Sequence, residues 1–200
     1  MENSSVWSTC RIGRNFHPCL LIDVTPKPFS SAVDEANSYP AAEPADLVID
    51  QESIKEGVLH ATAEMTENEW GEFTEVVVIR SQNGVDLRQK QWGGVGAPYF
   101  TKSAMEYLKS IQCLHVIVDL PSMDKEDDQG YLVAHKTFWE VVEGDALTLS
   151  DRSFKSTITE LANIPGSCKK GRYFLQLQVS PVDADAAPSR PVLFPMSQNR

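Results

Sequence analysis

Residues 114–120, Leu-His-Val-Ile-Val-Asp-Leu, form a short apolar run that is typical of a buried β-strand. Pro121 ends this run, and an acidic loop at 124–130 separates it from residues 131–140, Tyr-Leu-Val-Ala-His-Lys-Thr-Phe-Trp-Glu, whose spacing predicts a helix. Strand–helix–strand units of this kind predict an α/β fold in layers, with a mixed sheet and packed helices.

The rest of the chain supplies further elements of the same kind. Asp50 and Thr101 are good N-cap residues for helices over about 51–62 and 101–112. Acidic residues dominate 63–72, which we interpret as a loop, as we do the Ser, Ala and Pro-rich segment 29–46. Further strands are predicted at 19–24, 47–49, 73–80, 157–161, 173–179 and 191–194.

His135 is the histidine with the clearest candidate role. On a helix it shares one face with Tyr131, Phe138, Trp139 and Val142, so it points towards the core. It is either a packed, hydrogen-bonded core histidine or part of a polar site.

Glu160 is an unusual carboxylate, because its predicted strand is otherwise uncharged and places it on the same side as Ile158. A histidine and a glutamate that converge from different elements suit a divalent metal ion. Asp119 and Asp124 bracket Pro121, where they either bind or support such a site or form an Asx turn that ends the strand.

The other polar features receive structural interpretations. His17, His60 and His115 have no supporting partners in sequence. The glycine-rich segment 92–98 does not lie between a strand and a helix start, so we interpret it as a flexible loop rather than a phosphate cradle.

Composition limits the classes of protein. Two hundred residues suit one globular domain, and a formal charge of −10 argues against nucleic acid and anionic membranes as partners. No apolar run reaches the length of a membrane span, and the N-terminus has no signal-peptide pattern. Because none of the four cysteines forms a Cys-x-x-Cys pair, we expect isolated reduced thiols in a cytoplasmic protein.

Several motifs in a fixed order resemble the cyclase family of metal-dependent hydrolases, which includes bacterial kynurenine formamidase and isatin hydrolase. The motifs are Asp119-Leu-Pro-Ser-Met-Asp124, Ala134-His135-Lys-x-Phe-Trp139, Ile158-Thr-Glu160-Leu-x-Asn-Ile-Pro165, Gln178-Val-Ser-Pro181 and Asp183-Ala-Asp-Ala-Ala-Pro-Ser-Arg190-Pro-Val. The resemblance runs from about Pro18 to Met196 and implies the family's swivelling β/β/α fold.

The resemblance also implies a divalent metal, zinc or manganese, that polarises a carbonyl and supplies hydroxide. His135 and Glu160 match the C-terminal half of the family's metal site. The residues that would support the metal or contact substrate are Asp119, Ser122, Asp124 and Arg190.

The chain departs from the family near its N-terminus, where no His-x-Gly-Thr-His-x-Asp motif occurs. We therefore expect an irregular lead-in over 1–15 and a cyclase-like domain over 16–200 that lacks the family's N-terminal metal-binding segment and its catalytic histidine. The expected function is impaired metal-dependent hydrolysis of a small-molecule amide or lactam, arylformamidase-like and connected with tryptophan and kynurenine catabolism. The alternative is a non-catalytic binding or scaffold protein. In either case we expect a homodimer or a higher homo-oligomer.

Overall fold

The structure is a computed structural model that describes residues 15–32, 42–81, 86–94, 96–142, 150, 152, 154–182 and 184–196. The strands in these ranges are β1 Phe16–Asp23, β2 Lys27–Pro28, β3 Leu47–Ile49, β4 Val76–Arg80, β5 Tyr99–Phe100, β6 His115–Val118, β7 Thr157–Thr159, β8 Gly171–Gln176 and β9 Val192–Pro195. The α-helices are α1 Gln51–Thr62, α2 Glu67–Thr74, α3 Lys102–Ser110 and α4 Val133–Trp139, and two short 3-10 helices are Phe29–Ser31 and Leu87–Gln89. Most of the predicted lead-in, residues 1–14, lies outside the described residues.

The larger sheet has six strands in the order β7-β6-β4-β1-β8-β9. The first four run parallel to one another, whereas β8 is antiparallel to β1 and β9 is antiparallel to β8. A smaller sheet has the order β2-β3-β5. Since the carboxyl ends of parallel strands meet at one edge of a sheet, the residues that follow β6 and β7 are brought together.

The two faces of the large sheet carry separate apolar layers, because successive strand residues point to opposite sides. Leu20 and Val77 pack on the face that is covered by the helices, in one cluster with Phe138 of α4. Val78 and Ile117 belong to the cluster on the other face. All residues of β4 are buried, which is why its sequence is a continuous β-branched run and not an alternating one.

Two helices begin where the sequence predicts. The Asp50 side chain accepts a hydrogen bond from the Ser53 amide at the start of α1, and the Thr101 hydroxyl accepts one from the Ala104 amide at the start of α3. Each cap satisfies an amide that has no partner within its helix. Both predicted N-caps are confirmed.

The prediction of a loop over 63–72 is wrong, because α2 begins at Glu67. Thr66 and Glu69 form a capping box, in which the Thr66 hydroxyl accepts from the Glu69 amide and the Glu69 carboxylate accepts from the Thr66 amide. Acidic residues in a first helical turn are favoured by the helix dipole, so their density does not indicate a loop. Phe73 anchors α2 in the core.

The predicted elements around the candidate site are shortened in the structure. Strand β7 ends at Thr159, so Glu160 directly follows the strand, whereas the sequence predicts a strand that continues to Leu161. Helix α4 is shorter than residues 131–140, and Tyr131 and Val142 lie outside it with 45% and 63% of their surface exposed. The predicted apolar face was therefore extended too far in both directions.

The cysteines within the described residues, Cys19, Cys113 and Cys168, are free thiols, as predicted. Burial raises the pKa of Cys19 and of Cys113 to about 12, so these two thiols stay protonated at neutral pH. Cys10 lies outside the described residues. None of the helices in the described ranges is long and apolar enough to cross a membrane.

Candidate functional site

Asp124, His135 and Glu160 meet at the edge of the large sheet where the parallel strands end, and we name them the carboxyl-edge cluster. Glu160 directly follows β7. Asp124 belongs to the loop after β6, and His135 lies in α4, which packs on the helix-covered face through Ala134 and Phe138. The topology of the sheet thus brings together three residues that come from different elements.

Asp124 is 2% exposed at its side chain and fixes both the helix and the histidine. Its carboxylate accepts hydrogen bonds from the amides of Ala134 (2.7 Å) and His135 (3.2 Å), so it caps α4 from a distance in sequence. Its Oδ2 also lies 2.6 Å from Nδ1 of the His135 ring. A hydrogen on Nδ1 donated to Asp124 leaves the lone pair on Nε2.

Glu160 lies on the other side of the same ring. Its Oε1 is 3.4 Å from Nε2 of His135 and accepts a hydrogen bond of 2.8 Å from the Met123 amide. The two side chains are partly open to solvent, 18% for His135 and 28% for Glu160. The Trp139 ring, with its centroid 5.3 Å from that of His135, covers another side of the imidazole.

The two carboxylates determine the charge of His135. Burial on its own lowers the pKa of the imidazole, but the hydrogen bonds and charges of Asp124 and Glu160 outweigh burial and raise this pKa to about 9. In the absence of a metal the ring is therefore an imidazolium between two carboxylates at neutral pH. A metal ion has to displace that proton, because only neutral imidazole is a ligand.

The carboxyl-edge cluster offers two donors that fit a divalent ion. A tetrahedral ion with ligands at about 2.0–2.1 Å separates them by about 3.3 Å, which is close to the observed Nε2–Oε1 distance of 3.4 Å. Asp124 on Nδ1 provides the carboxylate–histidine arrangement that orients ligating histidines. Catalytic zinc sites commonly use three protein ligands, so this pair supplies part of such a set.

The remaining predicted residues occupy different places. The Ser122 hydroxyl accepts a hydrogen bond from the Asp124 amide, next to the cluster. Asp119 is buried and accepts hydrogen bonds from the amide and the hydroxyl of Ser81, so it ties the end of β6 to the end of β4. Arg190 is exposed and lines a cavity of about 350 Å³ beside Ile117, on the sheet face opposite the helices.

A second cluster, which the sequence analysis missed, lies where the parallel strands begin. His17 of β1, Glu75 directly before β4 and His115 of β6 place one potential ligand atom each within 4.8 Å of the others. We name these residues the amino-edge cluster. Our interpretation of His17 and His115 as isolated structural histidines overlooked that β1, β4 and β6 are neighbours, which no local spacing reveals.

Comparisons with known proteins identify the fold. No model of a known protein family matches the sequence, and no curated protein matches it. A solved structure described as a potential metal-dependent hydrolase with cyclase activity is similar over 91% of this chain, with a TM-score of 0.54 and 20% identity. An isatin hydrolase bound to the product analogue thioisatinate is similar over 98% of this chain, with a TM-score of 0.58 and 15% identity.

A predicted metal-dependent hydrolase from Bacillus stearothermophilus is also similar, over 88% of this chain, with a TM-score of 0.51 and 20% identity. The chain spans 66% of the cyclase-like hydrolase, 66% of the isatin hydrolase and 62% of the Bacillus protein. The predicted α/β architecture is confirmed, and the chain has the fold of this group of metal-dependent hydrolases and isatin hydrolase.

Proposed function

We propose that the chain acts in metal-dependent hydrolysis of a small molecule, and that the carboxyl-edge cluster supplies part of its metal site. The observation that carries this proposal is the 3.4 Å approach of His135 Nε2 and Glu160 Oε1, with Asp124 on the opposite ring nitrogen. The fold shared with metal-dependent hydrolases and isatin hydrolase supports the same reaction class.

His135 and Glu160 would hold the ion, zinc or manganese, which when bound polarises a carbonyl and lowers the pKa of a coordinated water. Asp124 keeps the His135 ring in the tautomer that presents Nε2. The Met123 amide fixes one oxygen of Glu160 and thereby its direction. The Ser122 hydroxyl accepts a hydrogen bond from the Asp124 amide and so stabilises the loop that contains Met123 and Asp124.

The substrate class in this proposal is an amide or lactam of the arylformamidase type, and residues 16–200 form the domain that binds it. We propose that the isolated chain hydrolyses such compounds weakly, because the carboxyl-edge cluster provides only two donors among the described residues. Arg190, which lines the cavity on the other sheet face, is proposed to contact an anionic group of a ligand.

Zinc binding after removal of metal by a chelator tests the site directly. We expect His135→Asn and Glu160→Gln each to remove one equivalent of bound Zn²⁺, while His60→Asn, on an exposed histidine of α1, leaves it in place. Unchanged Zn²⁺ stoichiometry in both site variants would contradict the proposal. Rapid hydrolysis of N-formylkynurenine or isatin by the purified chain would contradict our proposal that the isolated chain is only weakly active.

A non-catalytic role as a homo-oligomeric binding or scaffold protein is the second candidate. The observation that favours it is an exposed aromatic group on β1, β8 and β9, in which Phe16, Phe174 and Phe194 are 52%, 43% and 44% exposed. The rings of Phe16 and Phe194 lie 6.3 Å apart. Exposed apolar patches of this kind favour association. A stable oligomer that binds no metal at the carboxyl-edge cluster would favour this second role.

A further inference from the structure

The amino-edge cluster lies at the opposite end of the parallel strands from His135. His17 and His115 are almost completely buried, at 1% and 3% exposure, and the Glu75 side chain is 24% exposed. Two buried imidazoles beside a partly buried carboxylate are unfavourable unless these side chains are paired with one another or bind an ion. The three residues lie in or directly before neighbouring strands of the large sheet, β1, β4 and β6.

The local contacts direct each side chain towards the others. His17 Nδ1 lies 3.0 Å from Glu75 Oε1, and the rings of His17 and His115 meet edge to face with centroids 4.8 Å apart. His115 Nδ1 lies 2.9 Å from the hydroxyl of Thr157, the first residue of β7. When Nδ1 donates to Thr157, the lone pair of His115 resides on Nε2, which is the tautomer that a metal ion requires.

We propose that His17, Glu75 and His115 form a divalent metal site, suited to Zn²⁺, that is separate from the carboxyl-edge cluster. Two imidazoles and one carboxylate are a ligand set that zinc uses, and imidazole donors favour zinc over magnesium or calcium. Three protein ligands leave a fourth position for water, which can enter on the partly exposed side of Glu75.

One of the ligand separations already agrees with this assignment. Ligands of tetrahedral zinc are about 3.3 Å apart. The His17–Glu75 pair is already at 3.0 Å, and all three ligand atoms lie within 4.8 Å of one another. Binding of Zn²⁺ would require rotation of the side chains to shorten the longer separations to this value.

The sheet holds the ligands in place before the ion binds. His17 is in β1, Glu75 precedes β4 and His115 begins β6, and these strands are consecutive in the sheet. The amides of Leu114 and His115 both donate to the carbonyl oxygen of Glu75, which fixes the backbone between two of the ligands. A bound ion would join three strands, and it would stabilise the folded state by an amount that rises with the logarithm of its free concentration above the Kd.

The metal site at the amino-edge cluster does not depend on the proposed hydrolase function. The two clusters can therefore be tested independently. Zn²⁺ titration of the chelator-treated full chain is expected to give one equivalent that His135→Asn does not remove. Glu75→Gln keeps the shape of the side chain but removes its charge, and we expect it to weaken this equivalent at least about 100-fold. Glu72→Gln, on an exposed glutamate of α2, is the matched control.

Co²⁺ provides a second readout that needs no variant to fold. In the wild-type chain, Co²⁺ should give the visible absorption of a tetrahedral site and broaden the ring resonances of His17 and His115, but not those of exposed His60. Absence of any Zn²⁺ equivalent beyond the one removed by His135→Asn would overturn the proposal. So would a Glu75→Gln variant that is folded by circular dichroism and binds this equivalent as tightly as the wild type.

Discussion

The Asp124 carboxylate forms two hydrogen bonds with His135, one to the backbone amide at 3.2 Å and one to ring Nδ1 at 2.6 Å. The same carboxylate accepts the Ala134 amide, so one buried side chain determines both where α4 begins and how its histidine is oriented. Helix geometry and site geometry are therefore coupled at this residue.

Replacing Asp124 with alanine should destabilise the chain by about 2–4 kcal/mol, because it leaves two amides at the start of α4 without their acceptor and a partly buried imidazole without its carboxylate. Urea unfolding followed by circular dichroism measures the change. Asp127→Ala, on an exposed residue of the same loop, is the control and should have little effect. Equal stability of the two variants would show that Asp124 is not the cap.

The stability of the metal-free chain should depend on pH through His135. Its pKa is raised from about 6.5 in the unfolded chain to about 9 in the folded one, so its stabilisation is complete below about pH 6.5 and is lost as pH rises through 9. In the presence of a chelator, the difference in unfolding free energy between wild type and His135→Asn should shrink over this range. A difference that grows with pH would contradict the assigned charge.

Metal binding at the carboxyl-edge cluster should show the opposite dependence. Since a ligating histidine must lose its proton, Zn²⁺ affinity there should increase with pH up to about 9. Calorimetric titration in buffers of different ionisation enthalpy should detect the released proton at pH 7. With His135→Asn, we expect that this proton is no longer released on Zn²⁺ binding. If the release persists in the variant, another group must be its source.

Glu160→Gln should have little effect on the stability of the fold but should change the pKa of His135. The amide oxygen can still accept the Met123 amide, so the loss of stability should be about 1 kcal/mol or less. Removal of the negative charge should nevertheless lower the pKa of His135, because Glu160 is one of the two groups that raise it. A titration of the His135 ring by NMR measures the shift, and an unchanged pKa would mean that Asp124 acts alone.

Thr66→Ala should destabilise the chain by about 1 kcal/mol, since it removes one half of the capping box of α2. Thr66→Ser retains the hydroxyl and is the control. Urea unfolding compares the two. A stability of Thr66→Ala equal to that of Thr66→Ser would mean that α2 is held by the packing of Phe73 alone.

Local patterns predicted much of the fold. The β-branched run of β4 and the caps Asp50 and Thr101 are signals that reside within a few residues, and each was interpreted correctly. The signal for α2 is also local: Thr66 and Glu69 form the Thr-x-x-Glu pattern of a capping box, and this pattern indicates a helix start even where the segment is rich in acidic residues.

The sites could be predicted only in part, because they depend on which strands are neighbours. His17 and Glu75 are 58 residues apart, and nothing in their separation indicates contact. Only the strand order β6-β4-β1 brings them to His115.

The position of β1 has a consequence for the synthesis of the chain. This strand lies inside the sheet, but its antiparallel partner β8 begins only at Gly171. While the ribosome makes the intervening segments, β1 has β4 on one side and an open hydrogen-bonding edge on the other, which is a surface prone to aggregation. A nascent chain of this protein therefore depends on residues 171–176 to pair the open edge of one of its two central strands, and translation stops before Gly171 should yield insoluble products.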